Sequence, residues 1–223
     1  MNLSKLLVAA SIAFPLLAQA GVVPSGIQSN VSTATAAGWG WKECHRSSAS
    51  SYGTPISSIL DACKGDYLMM GYATNADTYA ILGAGAYQTV TKITHADYSS
   101  DDYAPALNNW SNGLNFYLTS GYGSWGFTTN SVTALNSADV FLDNGLNNYN
   151  GPEGSLTKGL SFHVSGGNMN AGWAYNITGN NLVSVYNGQR VFLTYSENKV
   201  PEPGILLLLA IGAAGVAASR RRA

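Results

Sequence analysis

Residues 21–199 predict a mainly β fold, an antiparallel sandwich or barrel with one short helix at about 54–64, and the chain adds a C-terminal transmembrane helix. Three observations carry this expectation. Apolar residues recur with a period of two in several runs, the pattern of strands with one face in a core. Those short runs are numerous and separated at regular spacing by Gly, Asn and Ser clusters, which suits a sandwich or a barrel. Finally, the uncharged stretch 204–219 ends on Arg220-Arg221-Arg222.

The chain opens with a basic start, Met1-Asn-Leu-Ser-Lys5, then an apolar run from Leu6 to Leu17 and the small-x-small triplet Ala18-Gln19-Ala20. These are the three parts of a secretory leader, residues 1–20, with cleavage after Ala20. The run is too short to span a bilayer, and Pro15 interrupts it as a helix. Residues 21–199 form the exported domain, about 180 residues and large enough for one core.

Cys44 and Cys63 are the two cysteines of the chain, and both lie in the exported part. An even pair in an oxidising compartment predicts a disulfide, whose closed loop of about twenty residues contributes roughly 3 kcal/mol by chain entropy. A metal site needs more ligands than Cys44-His45 offers, and a redox motif wants cysteines two apart. Within the loop, Thr54 as cap, Pro55 in the first turn and Gly65 as stop frame a helix. Ile56, Ile59, Leu60 and Cys63 fall on one face of it, so the bridge pins this helix to the segment around Trp41.

The strand pattern is clearest where Leu160, Phe162 and Val164 alternate with Ser161, His163 and Ser165. Ala171, Trp173, Tyr175 and Ile177 repeat it, as do Val191, Leu193 and Tyr195 against Arg190, Phe192 and Thr194; all three read as half-buried strands. Gly166-Gly167, 178–181 and Asn187-Gly188 are turn signals, the last predicting a tight hairpin between Leu182–Tyr186 and Gln189–Tyr195. Further strands are expected at Tyr67–Tyr72, Tyr79–Leu82, Tyr87–Thr94, Leu114–Thr119, Ser124–Thr129 and Val140–Asp143.

Seven basic and eleven acidic residues between 21 and 199 leave a net charge of −4. No basic stripe is present, which argues against nucleic acid as a partner. Asn, Ser, Thr, Gly and Tyr supply the polarity, a composition shared by secreted β-rich domains and sugar-handling surfaces. The chain carries no Gly-x-Ser-x-Gly elbow, no His-Glu-x-x-His and no phosphate loop, and no cofactor motif. A glycosidase needs two facing carboxylates, and no local pattern selects a pair. Asp97, Asp101 and Asp102 offer oxygen ligands for Ca²⁺ but fit no EF-hand spacing and read as a solvated loop. The stretch 143–151 is a turn-rich loop. His163 falls on a polar strand face as an exposed imidazole.

The tail 200–223 is read as a unit. As a helix, 204–219 is about 24 Å long, a marginal span that Arg220, Arg221 and Arg222 extend by snorkelling and orient with the arginines in the cytoplasm. A buried core helix seldom ends in three adjacent arginines. Pro201 and Pro203 bracket Glu202 and hold an extended, protease-readable stretch before the span; taken alone, it reads equally as a linker. The order Pro201-Glu202-Pro203, apolar span, arginine cluster resembles the PEP-CTERM sorting tail of Gram-negative bacteria. The resemblance implies an exosortase-type sorting enzyme as partner, membrane association through 204–219, removal of the tail and delivery to the cell envelope, outer surface or extracellular matrix. In that family the sorting system accompanies exopolysaccharide production, so exopolysaccharide is an implied partner. A sorting signal is an address and implies nothing about catalysis in its cargo.

Two readings of residues 21–199 follow. One is a non-catalytic structural or glycan-binding envelope module, favoured by the absence of any catalytic motif. The alternative is a secreted hydrolase acting on polysaccharide. The leader yields a direct prediction: N-terminal sequencing of envelope material should read Gly-Val-Val-Pro, beginning at Gly21. An intact Met1 terminus on the membrane protein would overturn the assignment.

Overall fold

Alternate side chains along Tyr67–Ala73 enter two different cores: Leu68, Met70 and Tyr72 on one side, Met69 and Ala73 on the other. Because side chains alternate across a strand, such a segment must lie inside a sheet covered on both faces. The structure, a computed structural model, describes residues 21–94, 104–105, 109–129, 132–135, 140–142, 159–175, 182–184 and 187–197. These fall within one compact unit, Gly21–Glu197.

In chain order the elements are β1 (Ile27–Ser32), α1 (Thr33–Gly38), β2 (Lys42–Ser48), β3 (Thr54–Pro55), α2 (Ile56–Ala62), β4 (Tyr67–Ala73) and β5 (Thr78–Ala86). Then come α3 (Tyr87–Val90), β6 (Ala104–Pro105), β7 (Trp110–Ser111), β8 (Leu114–Leu118), β9 (Gly123–Thr128), β10 (Val132–Leu135) and β11 (Val140–Leu142). The last four are β12 (Gly159–Ser165), β13 (Asn168–Tyr175), β14 (Leu182–Ser184) and β15 (Gln189–Tyr195). The described residues are thus mainly β, with few and short helices. One antiparallel sheet has the order β1-β5-β4-β15-β2, and a larger one runs β14-β13-β12-β9-β8-β7, with β3 beside β13. A small third sheet has the order β11-β10-β6.

The two large sheets face each other across a core of Leu68, Met70, Ile81, Phe116, Trp125, Phe127, Phe162 and Phe192. Phe192 is central, with ring centroids 5.2 Å from Trp125 and 6.1 Å from Phe162. Each such ring contributes about 1.5–3 kcal/mol by leaving water. Gly83 and Gly85 on β5 set the spacing. A Cβ there would stand 2.7 Å from the Phe127 ring and 2.8 Å from the Phe116 ring, so the glycines make room for both rings. The other face of the first sheet carries a second core, in which Ala36 of α1 and Trp41 cover Met69, Leu82, Val191 and Leu193. Ser32 caps α1 by accepting from the Thr35 amide at 3.0 Å.

Cys44 and Cys63 are disulfide-bonded, with Cα atoms 5.2 Å apart, and tie α2 to β2 beside Trp41 as the spacing implies. Gly166-Gly167 forms the expected turn: both glycines have positive φ, 58° and 76°, between the paired residues Ser165 and Asn168.

Four expectations are corrected. The helix is shorter than 54–64, because Thr54-Pro55 pairs with Asn168 and Met169 as β3 and Thr54 makes no cap. Two further helices, α1 and α3, accompany it. Tyr87–Thr94 is not a strand. The Tyr87 amide donates to Asp66 at 2.9 Å, turning the chain into α3, and Thr91 donates back to Tyr87 with both its amide and its hydroxyl. Asn187-Gly188 is not a tight hairpin: β14 pairs with β13 and β15 with β4 and β2, so the chain crosses between sheets there. Gly188 is held where the Tyr72 ring leaves no room for a side chain, and its carbonyl accepts from Ala49 at 2.9 Å. Lastly, β12 and β15 are not half-buried. Ser161 is 3% exposed opposite the apolar face of β12, and Val191, Phe192 and Leu193 are all buried.

Arg190 is fully buried on β15, and among the described residues it has no carboxylate partner. Its guanidinium instead donates to the carbonyls of Ser48 at 2.8 Å, Ser51 and Asn170 and reaches the hydroxyls of Ser47 and Thr54. Burial lowers its pKa to about 10, so it remains charged at neutral pH. Replacing Arg190 by Met leaves three carbonyls in part-buried bonds without their donor, at about 1 kcal/mol each. Arg190→Met should therefore lose about 3 kcal/mol in urea unfolding, and Arg190→Lys nearly as much, since one ammonium cannot span the same acceptors. A midpoint shift worth less than about 1 kcal/mol would overturn this role.

Candidate functional site

Of the residues singled out in the sequence, the structure brings Cys44 and Cys63 together. His163 is half-buried, opposite Ser124 in the register of β12 and β9, not on an exposed face. Ala18 and Ala20, the tail from Pro201 to Arg222, Asp97, Asp101, Asp102 and the stretch 143–151 lie outside the described residues. So do the side chains of Trp173 and Tyr175. Among the described residues no cluster of three His, Cys, Asp or Glu forms a metal site, and no helix is long and apolar enough to cross a membrane.

A cleft of about 450 Å³ opens where α2 passes the end of β8 and the β12–β13 turn. Its sides come from four segments. Pro55, Ile56, Ser57 and Leu60 belong to α2 and the residue before it; Thr91 and Ile93 follow α3. Leu118, Thr119 and Ser120 end β8, and Gly166, Gly167 and Asn168 make the hairpin turn. None of these residues is ionisable. Hydroxyl and amide groups alternate with apolar surface, and Ile93 is 53% exposed at the edge.

Each side is anchored by hydrogen bonds. Tyr87 donates its hydroxyl to the Leu60 carbonyl at 2.9 Å, joining α3 to α2. The Trp125 indole donates to the Val90 carbonyl at 2.9 Å from inside the core. Thr94 donates its amide to Leu118 at 2.8 Å and accepts the Leu118 amide on its hydroxyl at 3.1 Å, fixing the segment after α3 to β8. The Ile56 amide donates to Gly167 at 3.0 Å, and the Gly167 amide to Gly121 at 3.3 Å. The cleft is therefore formed before any ligand arrives, which lowers the ordering penalty of binding.

A second hollow, about 380 Å³, lies on the α1 side and contains Trp41, Glu43, Arg46 and Tyr79. Arg46 grips Glu43 with two bonds, 2.8 and 2.6 Å, and Tyr79 donates to the same carboxylate at 2.9 Å. Residues three apart on a strand ordinarily face opposite ways. A bulge makes this pair possible, since Phe192 faces His45 while Leu193 faces Glu43, leaving Cys44 as the extra residue. Burial would raise the Glu43 carboxyl, but the bonds from Arg46 and Tyr79 and the Arg46 charge hold it below its ordinary value. Burial and the bond to Glu43 push the Tyr79 hydroxyl up to about 12. The charges satisfy each other, so this hollow is a structural latch.

The cleft had no signal in the sequence beyond Gly166-Gly167, because its residues are distant in the chain. The tail did. Residues 199–222 match the family model of the PEP-CTERM protein-sorting motif. No curated protein and no solved structure matches the chain. The PEP-CTERM match starts four residues after β15 ends at Tyr195.

His45 sits beside the bulge with its ring edge-on to Phe192 and Nε2 buried without a hydrogen-bond partner. Burial, then the Arg190 charge, lowers its pKa, and Glu43 offsets this only in part. The unfolded chain therefore takes up a proton first as the pH falls below 6.5. Stability is complete above 6.5 and is lost as the pH descends towards the folded-state value. The melting temperature should drop between about pH 7.5 and 5.5, and His45→Gln should flatten that slope. Glu43, also depressed, adds its loss only below its ordinary value of 4.5. Identical profiles for the wild type and His45→Gln would refute the assignment.

Proposed function

We propose that this chain is an exported envelope or extracellular-matrix protein handled by an exosortase-type sorting enzyme. Residues 1–20 direct export, 204–219 hold the chain in the membrane with Arg220, Arg221 and Arg222 on the cytoplasmic side, and cutting near Pro201-Glu202-Pro203 releases it for sorting. The exported domain serves as a non-catalytic structural or glycan-binding module. The observation that carries the reading is the PEP-CTERM match at 199–222. The uncharged, hydroxyl-bearing cleft supports the glycan-binding limb.

Replacing Pro201, Glu202 and Pro203 with alanine keeps both the span and the arginines. In a host with the sorting enzyme, membrane insertion should persist while a larger, membrane-retained form accumulates on immunoblots. Normal processing of the triple variant would reduce Pro-Glu-Pro to a linker. Loss of insertion would show that the span depends on it.

A further inference from the structure

We infer that the cleft between α2, the end of β8 and the β12–β13 turn binds a segment of an uncharged polysaccharide. The inference rests on the glycan-binding limb of the function proposed above. Four properties of the cleft select this ligand class.

The first is charge. Among the described residues no side chain lining the cleft is ionisable, so a carboxylate, phosphate or ammonium of a ligand would find no counter-charge on them. The second is the type of polar group. Ser57, at an exposed position, carries a hydroxyl that both donates and accepts, as do the hydroxyls of a sugar, and the Thr91 hydroxyl, which donates to the Tyr87 carbonyl, is left to accept. Asn168 adds an amide whose NH₂ group is held by the Gly166 carbonyl at 3.2 Å, which orients the group. The third is the apolar surface between these groups. The part-buried Leu60 and the half-exposed Ile93 offer the non-polar contact that the C–H faces of pyranose rings provide.

The fourth is form. The volume lies within the range of about 300–1,000 Å³ typical of ligand sites, and the cleft is open to solvent, so an internal segment of a chain can enter without a free end. Its sides are fixed by the bonds from Tyr87, Trp125, Thr94 and Ile56. The disulfide fixes the far end of α2 at Cys63.

The test uses the processed protein released from a host carrying the sorting enzyme, in native electrophoresis through gels containing a soluble neutral glucan, mannan or galactan. Gels with a polyuronate or without polymer serve as references. At least one neutral polymer should retard the wild type. Ser57→Asp and Ile93→Asp, both at exposed positions, should each weaken that retardation tenfold or more, while Thr74→Asp on a distant exposed turn should not change it. Amide exchange of Thr91–Ile93 in the unaltered protein should slow on addition of the same polymer, a readout that needs no variant. Wild-type retardation that neither cleft variant weakens, with no protection at Thr91–Ile93, would place binding elsewhere: the cleft assignment fails and the glycan-binding reading stands. Retardation by the polyuronate alone would overturn the neutral-ligand assignment. No retardation by any polymer would remove both and leave the structural limb.

Discussion

A buried guanidinium held by backbone carbonyls ties this domain together at the junction of its sheets. Removing a charge from water costs several kcal/mol, and Arg190 offsets this with backbone carbonyls and hydroxyls from three segments. Those segments are the end of β2, the loop leading to β3, and β13 of the opposite sheet. The loop then delivers Pro55 and α2 to the cleft. The position of the cleft's α2 side is thus set by hydrogen bonding from the first sheet, and the disulfide at Cys63 secures the other end of the same helix. A carboxylate would have satisfied one side of the guanidinium. Dispersed carbonyls fix several strands at once.

What the sequence made legible follows from how local the cause is. The period-two run at Leu160–Val164 and the paired glycines 166–167 act over a few residues and appear where expected. The disulfide was legible because the exported part holds no other cysteine. The β14–β15 connection was not. Asn187-Gly188 has the chemistry of a two-residue turn, but cross-strand pairing decides which partner each strand takes, and Tyr72 and Ala49 hold Gly188 between sheets. Nor could alternation show that β15 is covered twice, since β15 owes its second cover to α1 and Trp41.

The two hollows illustrate different uses of polar residues. Around Glu43, charges are spent on one another, and the bulge at Cys44 that aligns Glu43 with Arg46 also places Cys44 for its bond to Cys63. Around Ser57 and Asn168, neutral groups line a cavity supported largely through backbone groups of the lining segments themselves. The first arrangement stabilises, whereas the second leaves exposed side chains such as Ser57 and Ile93 at its edge. A sequence poor in charge but rich in hydroxyl and amide groups accommodates both, because its few ions are placed where they close the fold. The match to the PEP-CTERM sorting motif, at 199–222, lies beyond the residues that build either hollow.

The last strand carries a mechanical consequence. Tension applied through the tail reaches the domain along β15, which ends at Tyr195 and is flanked by antiparallel partners on both sides, β4 and β2. Inter-strand hydrogen bonds lie across the strand direction, so such a pull loads both ladders in shear and together, instead of peeling them one bond at a time. Tyr195 also receives the Gly21 amide at 3.1 Å on its hydroxyl, which brings the domain's two ends to one point.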